Sequence, residues 1–419
     1  MNLLLLNQCF YPDVVSTAQH LTDLAVELTN RGHGVTVITS DRGYDAPAKR
    51  FPRRETWKGI RVIRISSLGL GKATKLRRAL NFGGFLINCS FRLAMLPRFD
   101  AVVALTSPPL ISLLGSLFVR LKGGRFFFWV MDLNPDEAIV AGWLRGGSPT
   151  AKLLEAFSRH SLRHAEKVIV LDRFMKQRIL NKDIPEQSIV VLSPWAHDDA
   201  VRYDARGREA FRKRHSLAES FVVMYSGNHS PCHPLDTLLE AALRLSSRKE
   251  ISFCFVGGGS EENKVKEFAA RHQLANILCL PYQPLEELAG SLSAADLHVV
   301  VMGEEFAGIV HPCKVYNILA VGSPLLYIGP EQSHVTDIEL QSTNGTRAYR
   351  ARHGDIDSVV TSIVEAAARK AESLAHRTFA LPERFSRESV LPRMIDVLTI
   401  NRQDTKELRA RESHEVSVL

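Results

Sequence analysis

Apolar residues along this chain come in short unbroken bursts. In the first half they fall at 3–6, 35–40, 60–65, 101–104, 126–130 and 167–171. Each burst is too short for a helix, and apart from 35–40 and 60–65, which mix in polar residues, the bursts are continuous rather than alternating, as expected of a strand covered on both faces. The stretches between them carry helical spacing. Ser16 or Thr17 can cap a helix through Leu21, Leu24, Ala25 and Leu28 that stops near Gly32. Strand and helix in alternation predict a parallel sheet with helices on both sides. The same rhythm restarts in the second half, with bursts at 221–226, 251–256, 277–280, 297–301 and 325–328. Helical stretches at 235–245 and 261–272 lie between them.

The expected fold class is therefore α/β, with two doubly wound, Rossmann-like domains facing a central cleft. We expect residues 1–195 to form the N-terminal domain and 196–385 the C-terminal one. The join falls in the Pro- and Asp-containing segment 193–203. A helix is expected at 386–400, packing back toward the N-terminal domain, followed by a charged flexible tail at 401–419. In doubly wound sheets ligands bind beyond the carboxyl ends of the strands. The residues that follow each burst are thus the candidates for chemistry.

Composition narrows the class. Hydrophobic residues make up 45% and charged residues 23% of the 419, so a core can form without a disulfide or metal staple. The six cysteines, Cys9, Cys89, Cys232, Cys254, Cys279 and Cys313, form no CxxC pair, which fits a reducing cytoplasm. The opening MNLLLLNQCFYP lacks a basic n-region and reads as a buried strand rather than a signal peptide. No stretch reaches the length of a transmembrane helix.

Charge is unevenly placed. Up to Trp195 there are 27 Lys+Arg against 15 Asp+Glu, a balance of +12; the remainder has 26 against 30, or −4. Between Thr56 and Phe99 there is no acidic residue at all. Lys72, Lys75, Arg77 and Arg78 there precede Leu80, Phe82, Phe85, Leu86, Ile87, Phe91 and Met95. Basic and bulky apolar residues without acids suggest an interfacial amphipathic helix, with a buried helix flanked by solvated charges as the alternative. Nucleic acid is a poorer partner, because the aromatics form no stacking platform and the second half is acidic.

The richest segment runs from Val301 to Pro324, VMGEEFAGIVHPCKVYNILAVGSP. A strand ends near Val301, and a helix follows with Pro312 at its first position, Lys314 in its first turn and Gly322 at its C-cap. Free backbone N–H groups at Gly308, Ile309 and Val310 beside that helix start, with the Lys314 charge, would make a diphosphate site. Glu304 or Glu305 would accept hydrogen bonds from sugar hydroxyls. Gly257 and Gly258 end another strand and would allow close approach of a base or ribose. Asp132 follows the apolar run 126–130 and would orient or deprotonate an acceptor hydroxyl; a turn or cap role is the alternative. His160 and His164 have i, i+4 spacing on a basic helix and read as a solvated face. Cys232 with His229 and His233 lacks a fourth spaced ligand, so no metal is expected.

The Val301–Pro324 segment resembles the retaining GT-B glycosyltransferases of family 4, whose signature here is E-x-F-G-x-x-x-x-E before A-x-G-x-P. Glu305, Phe306, Gly308, Ala320, Gly322 and Pro324 match it, and Asn317 stands where the second Glu is usual. Ser107-Pro-Pro-Leu, Trp129-Val-Met-Asp-Leu-Asn-Pro-Asp-Glu, Tyr225-Ser-Gly-Asn and Lys314-Val-Tyr-Asn add a likeness to the WbuB/WcaI subgroup of surface-polysaccharide glycosyltransferases. The resemblance covers essentially the whole chain. It implies a metal-independent, retaining hexosyltransferase without cofactor, with the nucleotide-diphosphate-sugar as substrate. Lys314, Glu305 and Asp132 would be its catalytic groups. Gly227, Asn228 and His229 would approach the donor phosphates, although that loop lacks the Arg or Lys common in the family. Asn317 would hold the ribose without a charge. The implied acceptor is a polyprenyl-diphosphate-linked saccharide of O-antigen, lipopolysaccharide or exopolysaccharide synthesis. The implied place is cytoplasmic, peripheral on the anionic inner face of a bacterial cell membrane. A UDP-sugar 2-epimerase on the same scaffold and a non-catalytic partner subunit remain open alternatives.

Overall fold

A computed structural model describes residues 1–44, 48–67, 75–196, 201–341, 348–370 and 383–400. The first domain runs β1 (Asn2–Leu6), α1 (Ser16–Asn30), β2 (Gly34–Ser40), β3 (Arg54–Trp57), β4 (Ile60–Ile65) and α2 (Lys75–Ala94). It continues with β5 (Ala101–Ala104), α3 (Ile111–Lys122), β6 (Arg125–Trp129), α4 (Asp136–Val140), α5 (Pro149–His164), β7 (Lys167–Val170), α6 (Arg173–Leu180) and β8 (Ile189–Val191). Its eight strands lie in the order β3-β4-β2-β1-β5-β6-β7-β8, and every pairing is parallel except β3 with β4. The central strand β1 explains the pattern of the opening residues: Leu3, Leu4, Leu5 and Leu6 are wholly buried between the two helical layers.

The second domain runs α7 (Ala205–Arg214), β9 (Phe221–Asn228), α8 (Asp236–Arg244), β10 (Ile251–Gly258), α9 (Glu262–Arg271), β11 (Ile277–Leu280) and α10 (Leu285–Ser293). Then come β12 (Leu297–Val301), α11 (Lys314–Ala320), β13 (Leu325–Ile328), α12 (His334–Gln341), β14 (Ala348–Ala351) and α13 (Ile356–Ala368). Its sheet is parallel throughout, in the order β11-β10-β9-β12-β13-β14. The eleven strands expected from the apolar bursts are all present. Three more, β3, β8 and β14, are short sheet-edge strands; β3 and β14 have mixed polar sequences, and β8 is the brief apolar run Ile189–Val191, which the expected strands left out.

The chain between the domains is pinned to the first. Trp195 donates its indole N–H to Asp23 of α1 (2.9 Å), and its carbonyl lies 3.0 Å from Nε2 of His20. The helix Arg387–Thr399, capped by Ser386, also returns to the first domain. Val390, Leu391, Met394, Ile395 and Leu398 join the core that contains β1. Arg125 donates to the carbonyls of Leu398 (2.7 Å) and Ile400 (2.9 Å). The tail expected at 401–419 lies outside the described residues, as does part of the expected join.

A buried ionic network fixes the base of the second sheet. Asp296, at the foot of β12, accepts from Arg208 and Arg212 of α7 and from the backbone N–H of Val222 in β9. Removing the carboxylate leaves two guanidinium groups without their anion. Asp296→Ala should therefore lower stability by about 3–5 kcal/mol, measured as a shift in the denaturant midpoint of the full chain.

Candidate functional site

The carboxyl ends of both sheets face each other, and the loops that follow the strands meet there. In the second domain, α11 begins at Lys314, and Gly322 closes it with φ 62°. The Lys314 side chain turns back over β9. Its ammonium lies 3.7 Å from the centroid of the Tyr225 ring. A Cβ at Gly227 would come within 3.1 Å of Lys314 Cε and Nζ, so only glycine admits the amine this close to the strand end. The ammonium is buried and has no hydrogen-bond partner among the described residues. Burial drives its pKa down to about 7.

Two imidazoles share this pocket. His229, which donates its backbone N–H to Gly258, packs edge-on to Tyr225 with ring centroids 5.1 Å apart. Burial first, then the Lys314 charge, lowers its pKa to about 4. His233 is held at about 3 by the same two causes in the same order. Nδ1 of each ring is buried without a partner. Three nitrogens capable of donating to an anion thus converge at the ends of β9 and α11. Sequence reasoning singled out Lys314, His229 and His233; the Tyr225 ring joins them through the fold.

The arrangement at 308–310 differs from the expectation. The N–H groups of Ile309 and Val310 are not free, because both donate to the carbonyl of Phe306 (2.9 and 3.2 Å). The Ile309 carbonyl accepts from Leu133 of the first domain (2.8 Å). Gly308, with φ 72°, is pressed against α6: an added Cβ would stand 2.6 Å from the Phe174 backbone. These three residues close the domain interface rather than cradle an anion, because the loop tightens into a 3-10 turn at Glu304–Phe306 that consumes its own amides. The Glu304 and Glu305 side chains are exposed on that turn. Arg178 of α6 binds its backbone, donating to the carbonyls of Glu305 (2.9 Å) and Ala307 (2.6 Å).

The glycines after β10 have an evident structural duty. Gly257 pairs with Gly227, and a Cβ on it would fall 2.1 Å from the Gly227 carbonyl oxygen. Gly258 is opposite Asn228, whose side chain is exposed beside the same pocket. Asn317 follows Lys314 by three residues and so shares its side of α11.

From the first domain, Asp132 faces the second. Its carboxylate is close enough to Cys232 and Cys313 to help push their thiol pKa values up, although burial is the larger cause for both. Burial, and then the Glu137 carboxylate, raise Asp132 itself to about 8. It is therefore a neutral acid at pH 7, and it acts as a base only above that range. Glu137 lies in the first turn of α4; its Oε2 accepts from Asn134 (3.1 Å) and its Oε1 faces the Cys232 thiol of the second domain at 3.8 Å. His160 and His164 stack on one another, 4.0 Å apart, on α5 and take no part here.

Asp172, His311 and His334 form a second buried group, with ligand atoms within 4.8 Å of one another. The two imidazoles stack 3.7 Å apart and only 23° from parallel. Their in-plane lone pairs run side by side and do not meet at the ~2 Å bond length a metal requires. The group is a hydrogen-bond chain: Oδ2 of Asp172 lies 2.7 Å from Nδ1 of His311, whose Nε2 lies 2.8 Å from the Tyr316 hydroxyl. Burial pushes the Asp172 carboxyl up, but His311 beside it outweighs that and holds it at about 2. Sequence spacing does not reveal this group, yet Asp172 follows an apolar burst, which is the place the switch-point rule indicates.

Of the expected membrane residues, Lys72 lies outside the described residues, and for Lys75 and Arg78 only the helical backbone is described. Arg77 is exposed on α2. Phe85, Cys89 and Leu93 bury one face of that helix, while Leu80, Ile87, Phe91 and then Met95 are exposed. No described helix is long and apolar enough to cross a membrane.

Comparison with known proteins matches residues 17–195 to the "Glycosyl transferase 4-like domain" and residues 207–327 to "Glycosyl transferases group 1". The putative colanic acid biosynthesis glycosyl transferase WcaI of Escherichia coli K12 is 27% identical over 338 residues, spanning 77% of this chain and 82% of that protein. Two solved structures share the fold. Sucrose-phosphate synthase of Thermosynechococcus elongatus superposes with a TM-score of 0.72 at 14% identity, covering 98% of this chain and 100% of that one. HepE of Anabaena, in complex with UDP and glucose, gives 0.72 at 13% identity, covering 95% and 99%. The two matched domains in this order, on two facing Rossmann-like sheets, place the chain among the GT-B glycosyltransferases of family 4.

Proposed function

We propose that the chain moves a sugar from a nucleotide-diphosphate-sugar to a lipid-linked saccharide in surface-polysaccharide biosynthesis, with retention and without a metal. The carrying observation is the buried, unpartnered Lys314 ammonium over Tyr225, with His229 and His233 beside it. A diphosphate entering there would gain a full positive charge and up to two imidazole donors in a water-poor site, where such contacts are strongest. As the sugar–phosphate bond breaks, the same groups would take up the charge on the leaving diphosphate. This assigns Lys314 the place of the basic residue absent from the 227–233 loop. Asp132 would meet the acceptor hydroxyl from the first domain, and Asn317 the donor ribose. HepE's complex with UDP and glucose, and the putative role of WcaI in colanic acid biosynthesis, favour a nucleotide-sugar donor and a polysaccharide product.

Lys314→Ala should lower turnover by about 10²–10³-fold with the unfolding midpoint unchanged. Isothermal titration with UDP and GDP should show nucleotide binding by the wild type and not by the variant. Transfer at the wild-type rate by Lys314→Ala would sink the assignment.

The amine's depressed pKa also makes binding pH-dependent. Only the protonated amine attracts a diphosphate. In the free protein it loses that proton as pH rises through about 7, so affinity should fall up to about tenfold per pH unit above it. Titrations near pH 7.5 in buffers of differing ionisation enthalpy should accordingly reveal proton uptake on binding.

The acceptor's lipid would be met by α2. Ile87, Phe91 and Met95 follow at four-residue spacing and are 59, 66 and 73% exposed; Leu121 at the end of α3 is 83% exposed. Arg98, whose side chain lies beside Gly123, links the two helix ends, and Arg77, Arg120 and Lys122 are exposed nearby on the same helices. Arg54 and Arg61 from the sheet edge lie close enough to Arg92 to depress its pKa, after burial. Such a surface suits an anionic leaflet, where each cation contributes about 1 kcal/mol. Phe91→Ser with Met95→Ser should reduce co-sedimentation with phosphatidylglycerol vesicles at least fivefold, while leaving nucleotide affinity intact.

A further inference from the structure

Lys314 lies between two residues, His311 and Tyr316, that bond to each other. Oδ2 of Asp172 accepts only, so Nδ1–H of His311 donates to it, and the Tyr316 hydroxyl donates to the Nε2 left free. The segment that carries Lys314 is thereby tied on both sides. The tie ends in the other domain, because Asp172 follows β7 and caps α6, taking the Met175 N–H on Oδ1 (2.8 Å). Asp172, His311 and Tyr316 are all buried, and His334 covers the His311 ring. Tyr316 is further held by Phe385, 5.2 Å away. Each link polarises the next in this low-dielectric interior. None of these groups has a part in the donor chemistry described above.

We propose that Asp172 is a positioning residue that fixes the Lys314 segment across the domain interface through His311 and Tyr316. The donor pocket of the second domain is then complete only when the first domain is seated against it. The consequence for donor binding rests on the reading of Lys314 given above; the positioning itself does not. Asp172→Asn is the informative variant. It keeps the side-chain volume and the helix cap, but with its oxygen on the Met175 N–H the amide presents only an N–H to His311, which replaces the bond to a carboxylate by a weaker neutral one and reverses the His311 tautomer. Arg173→Ala is the control, since it breaks the neighbouring interdomain ion pair with Asp337 (2.6 Å) without touching the chain.

Amide hydrogen exchange on the full-length, ligand-free protein tests the positioning. Asp172→Asn should speed exchange across residues 312–320 at least tenfold, with β9 and β10 as protected as in the wild type and Arg173→Ala showing wild-type exchange. Wild-type protection of 312–320 in Asp172→Asn overturns the proposal, and so does equal loosening by Arg173→Ala. If Asp172→Asn does not fold, Tyr316→Phe, which cuts the last link, must loosen the same segment or the proposal fails. In a transfer assay the donor KM should rise at least tenfold in Asp172→Asn while the acceptor KM stays unchanged. Loosening of the segment by Asp172→Asn, together with a wild type that binds neither UDP nor GDP, would support the positioning and defeat the donor reading instead.

Discussion

A lysine ammonium removed from water without a counter-ion is costly, and burial of this kind usually ends with the proton leaving. Lys314 sits at that balance. The Tyr225 ring beneath it returns on the order of 2 kcal/mol, which does not cover the loss of hydration, and the pKa falls to about 7. His229 and His233 beside it stay neutral for the same reason. A dianionic ligand would relieve all three groups together. Much of the surrounding geometry serves that arrangement: Gly227 because a side chain there would collide with the amine, Gly257 because β9 must keep its course past β10, and α11 because its first residue has to reach back over the sheet.

The first domain contributes opposite chemistry at the same cleft. Asp132 and Glu137 crowd one another where burial already disfavours charge, so Asp132 holds a proton near neutrality. On the proposed reading, an acid would face the acceptor hydroxyl and a cation the diphosphate, one from each sheet. That division requires the domains to be seated accurately, and α6 supplies the seat. Arg178 grips the carbonyls of the 3-10 turn, Arg173 pairs with Asp337, Gly308 lies flat on Phe174, and Asp172 reaches His311.

Much of this was legible in the sequence and some was not, for physical reasons. Strands buried on both faces announce themselves as apolar bursts, so the core strands of both sheets were readable; β3 and β14 are half-polar edge strands and carry no such mark, and β8 is an apolar edge run of only three residues. Lys314 was legible because a strand, a loop and a helix start fix where a first-turn cation must lie, although the helix begins at Lys314 itself and not at Pro312 as expected. The free amides expected at 309 and 310 failed because a loop of that length can satisfy its own N–H groups in a 3-10 turn, and no residue type signals that choice. Asp172, His311 and Tyr316 are separated in sequence by a whole domain boundary, so their hydrogen-bond chain has no local signature.

The departures from the family signature fit together once the geometry is known. A basic residue in the 227–233 loop would place a second full charge close to Lys314, in a pocket where one charge already loses much of its stability to burial. Drawing the cation from α11 leaves the loop free to supply neutral His229 and His233. Asn317, three residues along the same helix, then does not place a carboxylate next to the ammonium that must attract a diphosphate. A glutamate there would compete for Lys314 as an internal ion pair; the amide keeps a hydrogen bond for a sugar hydroxyl and leaves the charge unspent. The single relocated lysine thus accounts for both the uncharged loop and the missing glutamate.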